Sequence, residues 1–129
     1  MPAPVIDAVA VTSRDLKRSV SFYQELGFDF PEFGLEERHL EATAAPGAVR
    51  LMIDTRELSK QLTGAEPVPA NHAQFALLYD SPAEVDAAAA AIGAVGGMLV
   101  TAPFDAFWGQ RYATVADPDG YRFDLFAPL

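Results

Sequence analysis

The sequence has no cysteine, a single tryptophan and two histidines, and its nine Lys and Arg stand against eighteen Asp and Glu. Without cysteine there is no disulfide framework, no thiolate metal site and no cysteine nucleophile. The net charge of −9 argues against nucleic acid, whose phosphates demand a basic face. No run approaches the ~18–20 apolar residues of a membrane span. The opening MPAPVIDAVAV lacks the charged start and long apolar core of a signal peptide. The expectation is therefore a cytoplasmic protein with no nucleic-acid or membrane partner, whose acidity suits neutral or cationic small molecules and keeps it in solution.

What is present is internal repetition, which changes the reading of a fold more than any single motif. Residues 42–53 (ATAAPGAVRLMI) and 113–126 (ATVADPDGYRFDLF) both read as strand, Pro/Gly turn, strand, aligned on Pro46/Pro118 and Gly47/Gly120. Upstream, VAVTSRDLKRSVSFYQELGF (9–28) and FALLYDSPAEVDAAAAAIGAVGG (75–97) both run strand, polar cap, helix, Gly.

The β-branched run VIDAVAVT predicts a buried strand. Ser13 or Asp15 caps a helix carrying Leu16, Val20, Tyr23 and Leu26 at helical spacing up to Gly27. FDFPEF is expected as a strand at an edge or with a bulge, because Pro31 lacks an N–H. RHLEATAA and AVRLMIDT are expected to form a hairpin about Pro46-Gly47. Residues 55–71 form the linker, beginning with a helical turn. In the second unit HAQFALLYD is a strand, and Ser81-Pro82 with Glu84 starts an alanine-rich helix that ends around Gly93 to Gly97. MLVTAPF is a strand, DAFWGQ a loop, RYATVA a strand, DPDG a turn and YRFDLF the last strand. One domain is expected, 1–129, with repeat one about 4–54, the linker 55–71 and repeat two about 72–127. Its class is α+β, two βαβββ repeats forming a curved mixed sheet around a cleft with helices outside.

RDLKRSVSFYQELGF (14–28) and GQRYATVADPDGYRFDLF (109–126), with the paired organisation, cover nearly the whole chain. On them the chain resembles the vicinal oxygen chelate superfamily, the glyoxalase, bleomycin-resistance and extradiol-dioxygenase proteins. The resemblance implies a glyoxalase/bleomycin-resistance-like fold, and in metal-dependent members one ligand from the first and one from the last strand of each unit. Those positions fall on Ala8, Leu51, Gln74 and Asp124. Ala and Leu offer no lone pair and Gln is a weak ligand, whereas a catalytic divalent ion needs about three good donors. No metal or other cofactor is expected; a divalent ion is the alternative, either there or at a site shifted to His72, Gln74 and Asp124. His39 and Glu41 share a strand face, and His39 in the run EERH reads as solvated.

Ligand-binding residues are expected in the second unit, where an apolar pocket with a few oriented polar groups suits a small molecule. Phe107 and Trp108 form a stacking lip, with Tyr112, Arg122, Asp124 and Gln74 as polar partners. Phe30 and Phe33 add aromatic surface in the first unit. Arg111, Arg122 and Arg50, which repeats the position of Phe123, are expected either to meet a ligand carboxylate or to make structural pairs, Arg122 with Asp124 on its own face and Arg111 with Asp117 or Asp119. Asp117-Pro118-Asp119-Gly120 is structural. The catalytic residue is not legible; Asp124, as a general base in a dry cleft, is the weak candidate. The function expected is a metal-free protein that sequesters an aromatic or cationic compound, as antibiotic-resistance proteins of this type do, and forms a homodimer. The alternative is a lyase, isomerase or dioxygenase with a divergent metal site or metal-independent acid/base chemistry.

Overall fold

The computed structural model describes residues 3, 5–71 and 75–129. Strand β1 (Ala8–Ser13) leads into helix α1 (Leu16–Glu25), where Asp15 is the N-cap and its carboxylate accepts from the Arg18 amide at 3.2 Å. Strands β2 (His39–Glu41) and β3 (Arg50–Thr55) complete the first unit. The order β1-β3-β2 makes a three-stranded sheet, with β1 parallel and β2 antiparallel to β3. Helix α2 (Arg56–Thr63) fills the start of the linker, capped by Thr55 and closed by left-handed Gly64.

The second unit follows the expected plan. Strand β4 (Ala76–Leu78) precedes helix α3 (Pro82–Ala91), whose start at Ser81-Pro82 is as read from the sequence. A short 3₁₀ turn, Ile92–Val95, leads to β5 (Met98–Ala106), β6 (Gln110–Ala116) and β7 (Arg122–Pro128). These strands form a second sheet in the order β4-β7-β6-β5.

Several expectations are corrected. The first unit has three strands, because FDFPEF is irregular: Pro31 cannot donate, and the tie between this segment and the hairpin is Thr43 N–H to Asp29 O at 2.8 Å. The RHLEATAA strand contracts to three residues. Asp105 and Ala106, expected in a loop, belong to β5. The expected α+β class of paired units holds, with its strands hydrogen-bonded as two mixed sheets of three and four strands.

The central strands β3 and β7 alternate, with one face buried and the other open. The buried face carries Val11, Leu51 and Ile53 in the first unit and Val115, Phe123 and Leu125 in the second. Phe123 is the meeting point of the units: Tyr23 of α1 stacks on it at 5.9 Å, Phe22 meets it edge-on at 6.1 Å and Phe75 stacks on it at 4.8 Å. Each such aromatic contributes roughly 1.5–3 kcal/mol through burial, plus about 0.5–1.5 kcal/mol per well-placed ring pair. Phe30, expected as aromatic surface, is in this core. Gly97 lies where any Cβ would run into the Phe22 ring and Ile92, so α1 approaches the second unit over a residue without a side chain.

Candidate functional site on the open sheet faces

Strand register relates the two open faces. Ala10 pairs with Met52 and Ala76 with Asp124, and the N-caps Asp15 and Ser81 make Ala76 the counterpart of Ala10. Asp124 therefore repeats Met52, not Leu51, and Arg50 repeats Arg122, not Phe123. The Pro46/Pro118 pair keeps this frame, while the Gly47/Gly120 pair is one residue out because the glycine directly follows the proline in the first turn and comes two residues after it in the second. A one-residue slip turns every side chain to the other face, and Leu51 is accordingly in the core.

In the second sheet the open face presents Phe104, Tyr112, Thr114, Asp124 and Phe126. Tyr112 and Thr114 on β6 both donate to the Asp124 carboxylate, Thr114 at 2.8 Å. This hydrogen bond, with some desolvation, pushes the Tyr112 phenol up to about 12, so it stays a proton donor across the physiological range. Above it the turn 107–109 carries two aromatic rings. Phe107 is 98% exposed and Trp108 48%, and they meet edge-to-face at 5.0 Å. Trp108 packs on Tyr112 at 5.3 Å and on Phe104 at 6.2 Å, and its indole N–H donates to Gln110 at 2.8 Å. The structure thus gathers Phe107, Trp108, Tyr112 and Asp124 into one patch. Gln74 and His72 lie outside the described residues. Arg122 is exposed and ties down through its main chain, its N–H donating to Asn71 at 3.1 Å, rather than pairing with Asp124. Arg111 pairs with Asp86 and Asp105, not with Asp117 or Asp119.

The first sheet carries a charged network on its open face. His39 Nδ1 lies 2.6 Å from Asp54 and Nε2 lies 3.0 Å from Glu41, while Arg50 bridges Glu41 and Asp7. Ionised carboxylates only accept, so an imidazole between two of them is held as imidazolium. The hydrogen bonds to Glu41 and then Asp54 raise its pKa accordingly. His39, read from sequence as solvated, is a cross-strand tie. What makes it one is Asp54, its direct partner across β2 and β3, and only the register shows that pairing.

A divalent ion does not fit the four family positions. Ala8 has no donor, Leu51 is in the core and its place in register is taken by Met52, whose thioether is a weak ligand, and Asp124 is already shared by Tyr112 and Thr114. Among the described residues no group of three His, Asp or Glu is placed to hold one ion. The His39 nitrogens point to two different carboxylates on opposite edges of the ring.

Two βα repeats, parallel β1-β3 and β4-β7 pairs and one open face per sheet define a paired-module α+β protein. The chain belongs to the Glyoxalase/Bleomycin resistance protein/Dioxygenase superfamily, whose sequence profile it matches over residues 5–125. No functionally curated protein is detectably similar to it. Among solved structures it is similar to a glyoxalase-related enzyme from Fulvimarina pelagi (19% identity, 97% of this chain and 88% of that one, TM-score 0.82). It is also similar to a glyoxalase/bleomycin resistance protein/dioxygenase from Nocardioides (25% identity, 100% and 86%, TM-score 0.71). A lactoylglutathione lyase from Agrobacterium tumefaciens shares the fold at 18% identity (98% and 96%, TM-score 0.63). No helix among the described residues is long and apolar enough to cross a membrane.

Proposed function

We propose that this chain is a metal-independent binder of an aromatic, cationic small molecule, in the manner of the resistance proteins of its superfamily. The observation that carries this reading is the Phe107–Trp108 pair, set above Tyr112 and Asp124 with one ring almost wholly in solvent. Large exposed aromatics beside a carboxylate are what a planar cation recognises, through stacking, cation–π attraction and ion pairing. The net charge of −9 draws such a ligand in. Ala8 and Met52 at the first unit's metal positions support binding without an ion. The exposed apolar residues Leu78 and Met98 of the second sheet support a homodimer that covers part of this surface.

An acid/base enzyme is the second reading, and His39 between Asp54 and Glu41 is the observation in its favour, a positioned proton carrier on an open face.

Thermal-shift screening against planar aromatic cations and their neutral isosteres tests the first reading. The cations should stabilise the protein and quench Trp108, its only tryptophan. Equal shifts with both sets would remove the ionic part of the proposal. A stoichiometric, tightly held divalent ion in elemental analysis would overturn it in favour of the enzyme.

A further inference from the structure

Six of the seven arginines bring their guanidinium to a carboxylate or, at Arg38, to the Gln61 amide. Among the described residues the exception is Arg122, in a chain whose acidic residues outnumber its basic ones two to one. Alternation along β7 sets it, exposed, on the same open face as Asp124 and Phe126.

The repeat gives the reason. Arg50, the counterpart of Arg122, is closed by two carboxylates, Asp7 at 2.6 Å and Glu41. Counted from Ala10 and Ala76, Asp7 is matched in the sequence by Ala73. The pairs Glu41–Met52 and Thr114–Asp124 match Glu41 with Thr114, and the next pairs match His39 with Tyr112 and Asp54 with Phe126. The second unit thus keeps the guanidinium, lacks both carboxylates that close it in the first, and carries rings where the first has an ion-paired imidazole. One face fills itself; the other is short of an anion.

The backbone under Arg122 is also fixed. Its N–H donates to Asn71 Oδ1 at 3.1 Å, and Asn71 Nδ2 donates to Gly120 O at 3.1 Å, from a left-handed backbone (φ +56°) that asparagine tolerates better than most residues.

We propose that the ligand of the aromatic patch carries a carboxylate that closes on Arg122, so that it is an aromatic zwitterion rather than a simple cation. The inference rests on the cationic-aromatic reading above. Same-face residues on β7 follow one another at roughly 6.5–7 Å, in the order Arg122, Asp124, Phe126. Tyr112 is the cross-strand neighbour of Phe126, and Trp108 packs on Tyr112. A ligand laid along the strand therefore presents anion, cation and ring in that order, as an aromatic amino acid does. The guanidinium fork takes a carboxylate through two parallel hydrogen bonds, as the acids of the first unit take Arg50. A plain cation would instead meet Arg122 as a like charge beside Asp124.

Calorimetric titration of the intact protein with tryptamine, L-tryptophan and indole-3-propionate separates the three groups. L-Tryptophan should bind about tenfold more tightly than tryptamine, equivalent to about 1.4 kcal/mol, and more tightly than indole-3-propionate. Arg122→Gln keeps the N–H to Asn71; it should erase that advantage and leave tryptamine bound at least as tightly as before. Arg122→Lys, with the charge but not the planar fork, should retain part of the advantage. Tryptamine binding with no advantage for L-tryptophan, or an advantage that survives Arg122→Gln, overturns the inference and leaves the cationic reading in place. Failure of both amines to bind overturns the two together.

Discussion

The Tyr23 hydroxyl donates to the Asp117 carboxylate at 2.6 Å, joining helix α1 of the first unit to the β6–β7 turn of the second. Both groups are buried. The other Asp117 oxygen accepts the amides of Asp119 and Tyr121 at 2.9 and 3.0 Å, and Gly120, at φ +94°, completes the turn. Neighbouring Asp119 accepts from Arg14 and Ser19, so the turn read as merely local also clamps the two repeats together.

Tyr23→Phe should cost about 1–3 kcal/mol, because it leaves a buried carboxylate short of one donor. Desolvation is the largest influence on Asp117 and raises its pKa, against the lowering effect of the Tyr23 bond. The folded state therefore holds this proton more tightly than the unfolded one. Its contribution to stability is fully present below the ordinary carboxylate value of ~3.9 and is lost as pH rises through the folded value. Removing the phenol should push Asp117 further up and widen that window. Urea denaturation at several pH values checks the cost, and carboxyl-carbon NMR checks the shift.

His39 behaves as the usual cationic case. Its folded pKa is raised by Glu41 and Asp54, so the stabilisation is complete below ~6.5 and fades as pH rises through the folded value. The side chain is 39% exposed, so solvent screening limits the effect to below about 1 kcal/mol. His39→Gln should lower stability most below pH ~6.5, where the stabilisation is complete, and flatten the fall on the alkaline side. An identical slope in wild type and variant would remove His39 as its source.

Asp124→Asn should return Tyr112 from about 12 toward the ordinary phenol value of ~10, since the carboxylate hydrogen bond is the first cause of the rise. Ultraviolet titration of tyrosinate would show one residue moving while Tyr79, raised to about 12 by burial, stays. The same substitution should weaken binding of a cationic aromatic more than that of its neutral isostere.

Gly97→Ala should destabilise by about 1–3 kcal/mol, because its Cβ has to displace the Phe22 ring or the Ile92 side chain in a packed core. Gly47→Ala makes a useful contrast: space around Gly47 is open, and its cost comes from positive φ alone. Thermal melts of the two variants would separate the steric from the conformational penalty.

Much of this was readable beforehand. The cap residues Asp15 and Ser81, the breaks at Pro and Gly and the alternation in RYATVA and YRFDLF mark elements through local chemistry, and the elements form where that chemistry places them. The aromatic lip at Phe107 and Trp108 was legible for the same reason, as large rings beside a turn glycine. The FDFPEF strand failed because alternation says nothing about whether a partner edge is within reach. The counterpart of Asp124 was misplaced because the two turns carry their Gly at different distances from their Pro, and only hydrogen-bond register shows which marker keeps the frame.

By itself, then, the sequence determined a duplicated α+β chain, its helix boundaries and an acidic, cysteine-free character, all of which depend on neighbours a few residues apart. Tertiary structure alone decided that His39 meets Asp54, that Tyr23 reaches Asp117, and that Arg111 turns to Asp86 rather than to its own hairpin. Such pairings depend on which strands lie side by side and on which face each side chain leaves. A shift of one residue along a strand reverses that face without changing any local preference.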